Sequence, residues 1–233
     1  MSQNRADATT RDIVPTEAAP RAGDGPRLAP LEVSEFSAEV LAAVERMLAV
    51  NEAINAREKS RLHAMMAADT EEARRAQLAD MPEYMRTMLR HPDLFARQVD
   101  MGLQLLGHGT LAPRDRELAV LRTLWLCQAP YGWGEHVFVA KSVGLSSDEI
   151  ERITRGSAAP GWNAHEAAIL RAAEELRTEA MISDATWTTL AQTLNDQQLI
   201  ELPIVIGQYQ TVAYYQNSLR LRLHPGNAGL LTR

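Results

Sequence analysis

A single cysteine, Cys127, occurs in the 233 residues. That excludes an intramolecular disulfide, a Cys-x-x-Cys redox pair and any metal site built from several cysteines, and it fits a reducing compartment. Aromatic residues are scarce as well, at 5% against 45% hydrophobic overall, so the core must be mainly aliphatic and Ala/Leu-rich. No run reaches the roughly eighteen apolar residues of a membrane span. The opening stretch MSQNRADATTRDIVPTEAAP contains acidic residues and lacks the apolar segment of a secretory signal, so a cytoplasmic protein is expected. Basic charge is also missing: at a net charge of −6 there is no domain-wide positive footprint for phosphates, which argues against a nucleic-acid partner. Finally, no Asn-Gly or Asp-Gly turn separates alternating segments, and the run Pro203 to Ile206 sits inside a helical pattern. The fold class expected is all-α.

What is present divides the chain into four stretches. Residues 1–35 hold Pro15, Pro20, Pro26 and Pro30 with little to form a core, and read as a disordered or loosely ordered arm. Residues 36–80 form an N-terminal helical extension: Phe36, Val40, Val44, Met47 and Leu48 recur at helical spacing behind Ser34 or Ser37. Leu62, Met65 and Met66 follow, then a short charged helix over TEEARRAQLAD. Residues 81–222 form the main helical domain. Pro82 and Pro92 mark helix starts there, and Tyr84, Met85, Met88, Leu89, Leu94, Phe95, Val99, Leu103 and Leu106 are the expected core contacts. Further on, Ser146 to Glu149 starts a helix, Asn163 and Glu166 have capping-box spacing, Asp184 begins another helix, and the last runs from about Asp196 to Leu221. Its buried side carries Leu199, Leu202, Val205, Ile206, Tyr209, Val212 and Ala213. Residues 223–233 read as a loose tail.

The chemistry concentrates between Leu111 and Leu145, read as two antiparallel helices turning near Gln128 to Pro130. On a helical wheel Val120, Leu121, Leu124 and Trp125 share a broad apolar face, and Glu117 falls within it. In the second helix Trp133, Val137, Ala140 and Val143 form the inner face, with His136 among them and Glu135 on the far side beside Ser142. Asp115 and Arg122 fall together at the polar margin, where a solvated ion pair is expected, and Arg114 lies nearer the apolar face. A buried carboxylate next to an imidazole offers a proton relay near neutral pH. The same spacing is equally compatible with a structural core histidine hydrogen-bonded to Glu117. His63, His91, His108, His165 and His224 occur singly, without metal-ligand spacing, so no metal is expected.

The run LAPRDRELAVLR, the YGWGEH of Tyr131 to His136, the AKSVGLSSDEI after it, and the late QLIEL with Gly207 to Tyr209 resemble the carboxymuconolactone decarboxylase family, which includes the AhpD-like alkyl hydroperoxidases. The resemblance spans about Met81 to Leu221. It implies an AhpD-like all-α domain, assembled as trimers or hexamers, with Glu117 and His136 at the family's glutamate and histidine. The paired cysteines of the hydroperoxidase branch fall on Ala129 and Gly132, so the dithiol cycle is absent, and a peroxidase would have to work through Cys127 alone. The decarboxylase branch resembles the chain better. It implies a cofactor-free carboxy-lyase acting on a small carboxylic acid or lactone, with His136 and Glu117 catalytic, Arg114 or Arg122 seating a carboxylate, and Tyr131 and Trp133 walling the pocket. A non-catalytic oligomeric binding protein is the remaining alternative.

Overall fold

Prolines and short polar side chains decide where the helices begin. The computed structural model describes residues 29–51 and 81–233, and the helices expected over 52–80 lie outside the described residues. Ser37 accepts a hydrogen bond from Val40 N at 3.3 Å and starts α1, Ala38–Asn51. Pro82 precedes α2, Glu83–Met88. Prolines stand at the first position of α3, Pro92–Gly107, of α4, Pro113–Leu126, and of α5, Pro130–Ser142. There a missing N–H costs nothing and the fixed φ is already helical. Reciprocal capping boxes open α6, Ser147–Arg155, through Ser146 and Glu149, and α7, Ala164–Glu179, through Asn163 and Glu166. Ser183 caps α8, Asp184–Leu190, and Asn195 with Gln198 caps α9, Asp196–Leu219. Among the described residues there are these nine α-helices, two short 3-10 turns and no strand. Nor is any helix there long and apolar enough to cross a membrane.

Two clusters bury the apolar side chains. The larger one surrounds α4, in which every residue from Arg116 to Leu124 is buried, because α5, α6, α7 and α9 all pack against it. A helix covered on all sides has no solvent face, so its charged residues need partners inside the protein. The smaller cluster joins Leu31, Val40, Ala43, Val44, Met81, Leu89, Phe95 and Ala96 between α1, α2 and α3. Leu94, expected in the core, is 58% exposed, and Leu105 is buried where Leu103 is only half-buried. One residue of slip turns a helical side chain by about 100°. Phe95 and Ala96 hold the inward phase instead.

The reversal between α4 and α5 runs through Cys127, Gln128 and Ala129. Gln128 adopts a left-handed φ of 49°, a cost of roughly 1–2 kcal/mol for a non-glycine residue, and its side chain donates to Trp125 O at 2.8 Å. The two helices are thereby folded back at once.

The tail, expected to be loose, lies against α5. Trp133 is fully buried, and its indole N–H needs an acceptor, which Thr232 O supplies at 3.0 Å. The Asn227 amide donates to Tyr131 O at 3.0 Å and accepts from Gly229 N at 2.8 Å. Only a glycine at position 134 lets Asn227 come so close, since a side-chain carbon there would lie 1.8 Å from its Oδ1. The Arg233 guanidinium closes over the rings of Trp125 and Trp133, 5.4 and 5.5 Å from their centroids.

Candidate active site

Three helices meet in two layers. In one layer α4 contributes Glu117, α5 His136 and α9 Tyr209. His136 Nδ1 lies 2.9 Å from Glu117 Oε2, with side-chain exposures of 12% and 0%. The other carboxylate oxygen accepts from Arg116 Nε at 3.1 Å. Arg116 is itself buried, and its Nη1 donates to Leu106 O at 3.0 Å at the end of α3. A carboxylate taken out of water requires an opposite charge and satisfied lone pairs, and Arg116 with His136 supplies both. Since a carboxylate only accepts, the proton on the shared edge belongs to Nδ1, which leaves Nε2 with its lone pair. The imidazole is fixed further by the edge of Tyr209, 4.6 Å between centroids at 83°. Burial first, and then the Glu117 charge, push the Tyr209 hydroxyl well above its ordinary pKa, against the opposing pull of Arg116. The ring beside the imidazole therefore keeps its hydroxyl proton.

The adjoining layer holds Leu124 on α4, Gly132 on α5 and Gln216 on α9. A side-chain carbon at Gly132 would lie 2.7 Å from Leu124 Cδ2 and 2.9 Å from Gln216 Oε1. Position 132 is one of the two where the family resemblance puts a thiol, and here any side chain would have to displace both neighbours. The other, Ala129, is fully buried. Cys127, half-buried just past α4, has its thiol pKa raised by burial, only partly offset by Arg177. That disfavours the thiolate a peroxidatic cysteine needs.

Glu117 and His136 are thus brought together. The expected substrate-binding arginines are committed to carboxylates of their own. Arg114 pairs with Glu149 and, at 2.7 Å, with Glu166, pinning the first turn of α4 to the starts of α6 and α7. The Arg114 guanidinium holds Glu149 down to about 2. Arg122 does not form a solvated pair with Asp115. It is buried, donates to Glu174 at 2.8 Å and to the carbonyls of Ile153 and Thr154 at 3.0 Å each, and so ties α4 to α7 and to the C-terminal end of α6. Gly156 makes this possible: at φ 90° a side-chain carbon there would lie 2.6 Å from both Arg122 Nη2 and Glu174 Oε1. Asp115 instead meets His165 Nε2 at 2.8 Å, and the opposite nitrogen of that ring faces Thr193 Oγ1 at 2.7 Å. Trp133 packs on Trp125, 5.0 Å between centroids, and on the tail. Tyr131 is buried 5.5 Å from Tyr84, and burial pushes its hydroxyl up to about 12.

Sequence reasoning missed Arg116, Tyr209 and Gln216 as site residues. Tyr209 stood on the buried side of the last helix, and a buried hydroxyl is itself a signal. Gln216 lies seven residues further along the same face. Arg116 gave no pattern, because consecutive helical residues point about 100° apart and only a long side chain bends back to its neighbour. Among the described residues no group of three or more His, Cys, Asp and Glu side chains is placed to hold a metal ion.

Residues 92–175 match the model of the Carboxymuconolactone decarboxylase family. Among solved structures, the AhpD core of an uncharacterized peroxidase-related protein from Ralstonia eutropha JMP134 is 15% identical, with a TM-score of 0.61 over 88% of this chain and 100% of that one. A cysteine-to-alanine variant of the debrominase Bmp8, in complex with 2,3,4-tribromopyrrole, is 12% identical with the same TM-score, over 88% and 96% of the two chains. An AhpD-type protein of unknown function from Agrobacterium tumefaciens is 19% identical, with a TM-score of 0.52 over 57% of this chain and 92% of that one. No curated protein sequence matches. At such identities the solved structures speak for the fold alone. Residues 92–175 thus match the carboxymuconolactone decarboxylase family model, and the chain has the all-α fold of the AhpD-like structures.

Proposed function

We propose that the protein is an acid/base enzyme of the decarboxylase kind, a carboxy-lyase for a small unsaturated lactone acid or related carboxylic acid that needs no organic cofactor. The observation that carries this reading is the Glu117–His136 contact of 2.9 Å inside the helical core, with Arg116 on the second carboxylate oxygen. In the proposed reaction the bond between the ring and its carboxylate breaks, carbon dioxide leaves, and the electron pair passes through the conjugated double bond to the lactone carbonyl. His136 Nε2, carrying a proton taken up from solvent, then delivers it to the ring carbon. Glu117 stabilises the imidazolium in the interval, and Tyr209 is a donor for the charge that develops on the carbonyl oxygen. A debrominase of the same fold is described with a five-membered aromatic ring bound, which supports a ring substrate. The missing thiol pair and the burial of Cys127 speak against a hydroperoxidase.

Assembly as a trimer or hexamer belongs to the same proposal. Ile200, Ile204 and Tyr214, exposed by 63%, 45% and 51%, lie along one side of α9 and favour a covered surface there. The test of function is a screen of unsaturated lactone acids for carbon dioxide release, with wild type and His136→Ala side by side. Release that disappears in a folded His136→Ala protein is the expected result. Full activity in that variant removes His136 from the reaction.

A further inference from the structure

Gln216 is 94% buried by its neighbours, being only 6% exposed, and its Oε1 has no hydrogen-bond partner. That oxygen gives up its hydration for nothing inside the protein. A leucine would fill the same volume without that loss. Buried polar atoms are normally paired, and an unpaired one costs stability. Such a group persists in native structures where something other than stability retains it.

Its position says what that is. Gln216 is seven residues from Tyr209 on α9, Leu124 is seven from Glu117 on α4, and Gly132 is four from His136 on α5, so each pair shares a helix face. The Leu124, Gly132, Gln216 layer therefore adjoins the layer of Glu117, His136 and Tyr209. Gly132 brings no side chain to it, and the Gln216 amide occupies the notch that results, 2.9 Å from where a side-chain carbon would stand. The unpaired atom is an acceptor beside Gly132, which stands one helical turn before His136 on α5.

We propose that Gln216 is the specificity-determining residue of this site, accepting a hydrogen bond from a donor on the substrate ring, an N–H or a hydroxyl, while His136 acts on an adjacent carbon. The absence of a side chain at Gly132 is what gives the Gln216 amide its place beside α5. The assignment rests on the acid/base reading of the His136 site and adds the ligand's polar edge to it. A ring bearing a donor satisfies the orphan; an isosteric ring without one leaves it unpaired.

The test is calorimetric titration of the full chain with pyrrole-2-carboxylate and 2-furoate, two acids of nearly the same shape that differ in a ring N–H. Wild type is expected to bind the pyrrole acid about tenfold more tightly, the size of one well-made buried hydrogen bond. In Gln216→Leu the preference falls below about twofold, and the melting temperature stays level or rises because the orphan is gone. Should Gln216→Leu not fold, Gln216→Met makes the same comparison. Equal affinities in wild type, no saturable binding of either acid, or a preference that survives in the folded variant each overturn the assignment. His136→Ala is expected to keep the preference, since recognition involves no proton transfer. A failure of the lyase reading is thereby told apart from a failure of Gln216.

Discussion

Two neighbours on α5, Glu135 and His136, each join a histidine–carboxylate pair, and the pairs have opposite fates. His136 meets Glu117 at 2.9 Å with exposures of 12% and 0%, and Glu135 meets His224 at 2.6 Å with exposures of 40% and 42%. The outer contact is the shorter of the two. Water screens it, however, and both ring nitrogens of His224 are used up, one on Glu135 and one on Pro225 O at 2.9 Å. The inner pair is largely shielded from water, is balanced by Arg116, and leaves Nε2 of His136 without a hydrogen bond among the described residues. Contact length therefore says little about role. A free nitrogen in a dry, charge-balanced setting separates the proposed catalytic pair from a clasp on the tail.

The comparison breaks most sharply at the two imidazoles. His136→Ala is expected to lower kcat by about 10²–10⁴-fold, whereas His224→Ala stays within about twofold, both read from steady-state turnover of whichever lactone acid the screen identifies. Next come the carboxylates. Glu117→Ala leaves the Arg116 charge buried without its partner and should cost about 3–5 kcal/mol in chemical denaturation. Glu135→Ala, at a half-exposed site, should cost less than about 1 kcal/mol. Equal losses at the two positions would erase the distinction.

A smaller effect is set by pH. The hydrogen bond to Pro225 O and then Glu135 raise the His224 pKa above its ordinary value. A raised histidine stabilises the fold fully below the unfolded value near 6.5, and that contribution is lost as pH rises through the folded value. The difference in melting temperature between wild type and His224→Ala should accordingly shrink from pH 6 to pH 9, by an amount worth less than about 1 kcal/mol once solvent screening is allowed for. The smallest expected effect is that of Cys127→Ser, whose turnover should match wild type. Loss of activity there would revive a thiol mechanism.

How much of this could be read beforehand followed the range of the interactions. Pro92 and the Asn163 and Glu166 box act over a few residues and announce their helices in the sequence, whereas Pro130, read as part of the turn, is the first residue of α5. Glu117 and His136 were legible because each is an ionisable residue among apolar neighbours on its helix, and the short turn at Gln128 folds the two helices together. Arg122 was not legible: its partner Glu174 is 52 residues away, and nothing local tells a buried arginine from a solvated one. The tail misled for the same reason. His224, Pro225 and Gly226 read as loose, while the groups that hold it, Tyr131 O and the indole N–H of Trp133, lie nearly a hundred residues earlier. Gln216 could be placed on a face, but its missing partner shows only once three helices are packed.

The central claim is that His136 delivers a proton to carbon. The most direct measurement is turnover of an unsaturated lactone acid in deuterium oxide, followed by NMR of the product. The account predicts one deuterium on a ring carbon of the former dienolate, with wild type forming that product and a folded His136→Ala protein failing to do so. The same deuterated product, formed at the wild-type rate by His136→Ala, would contradict it.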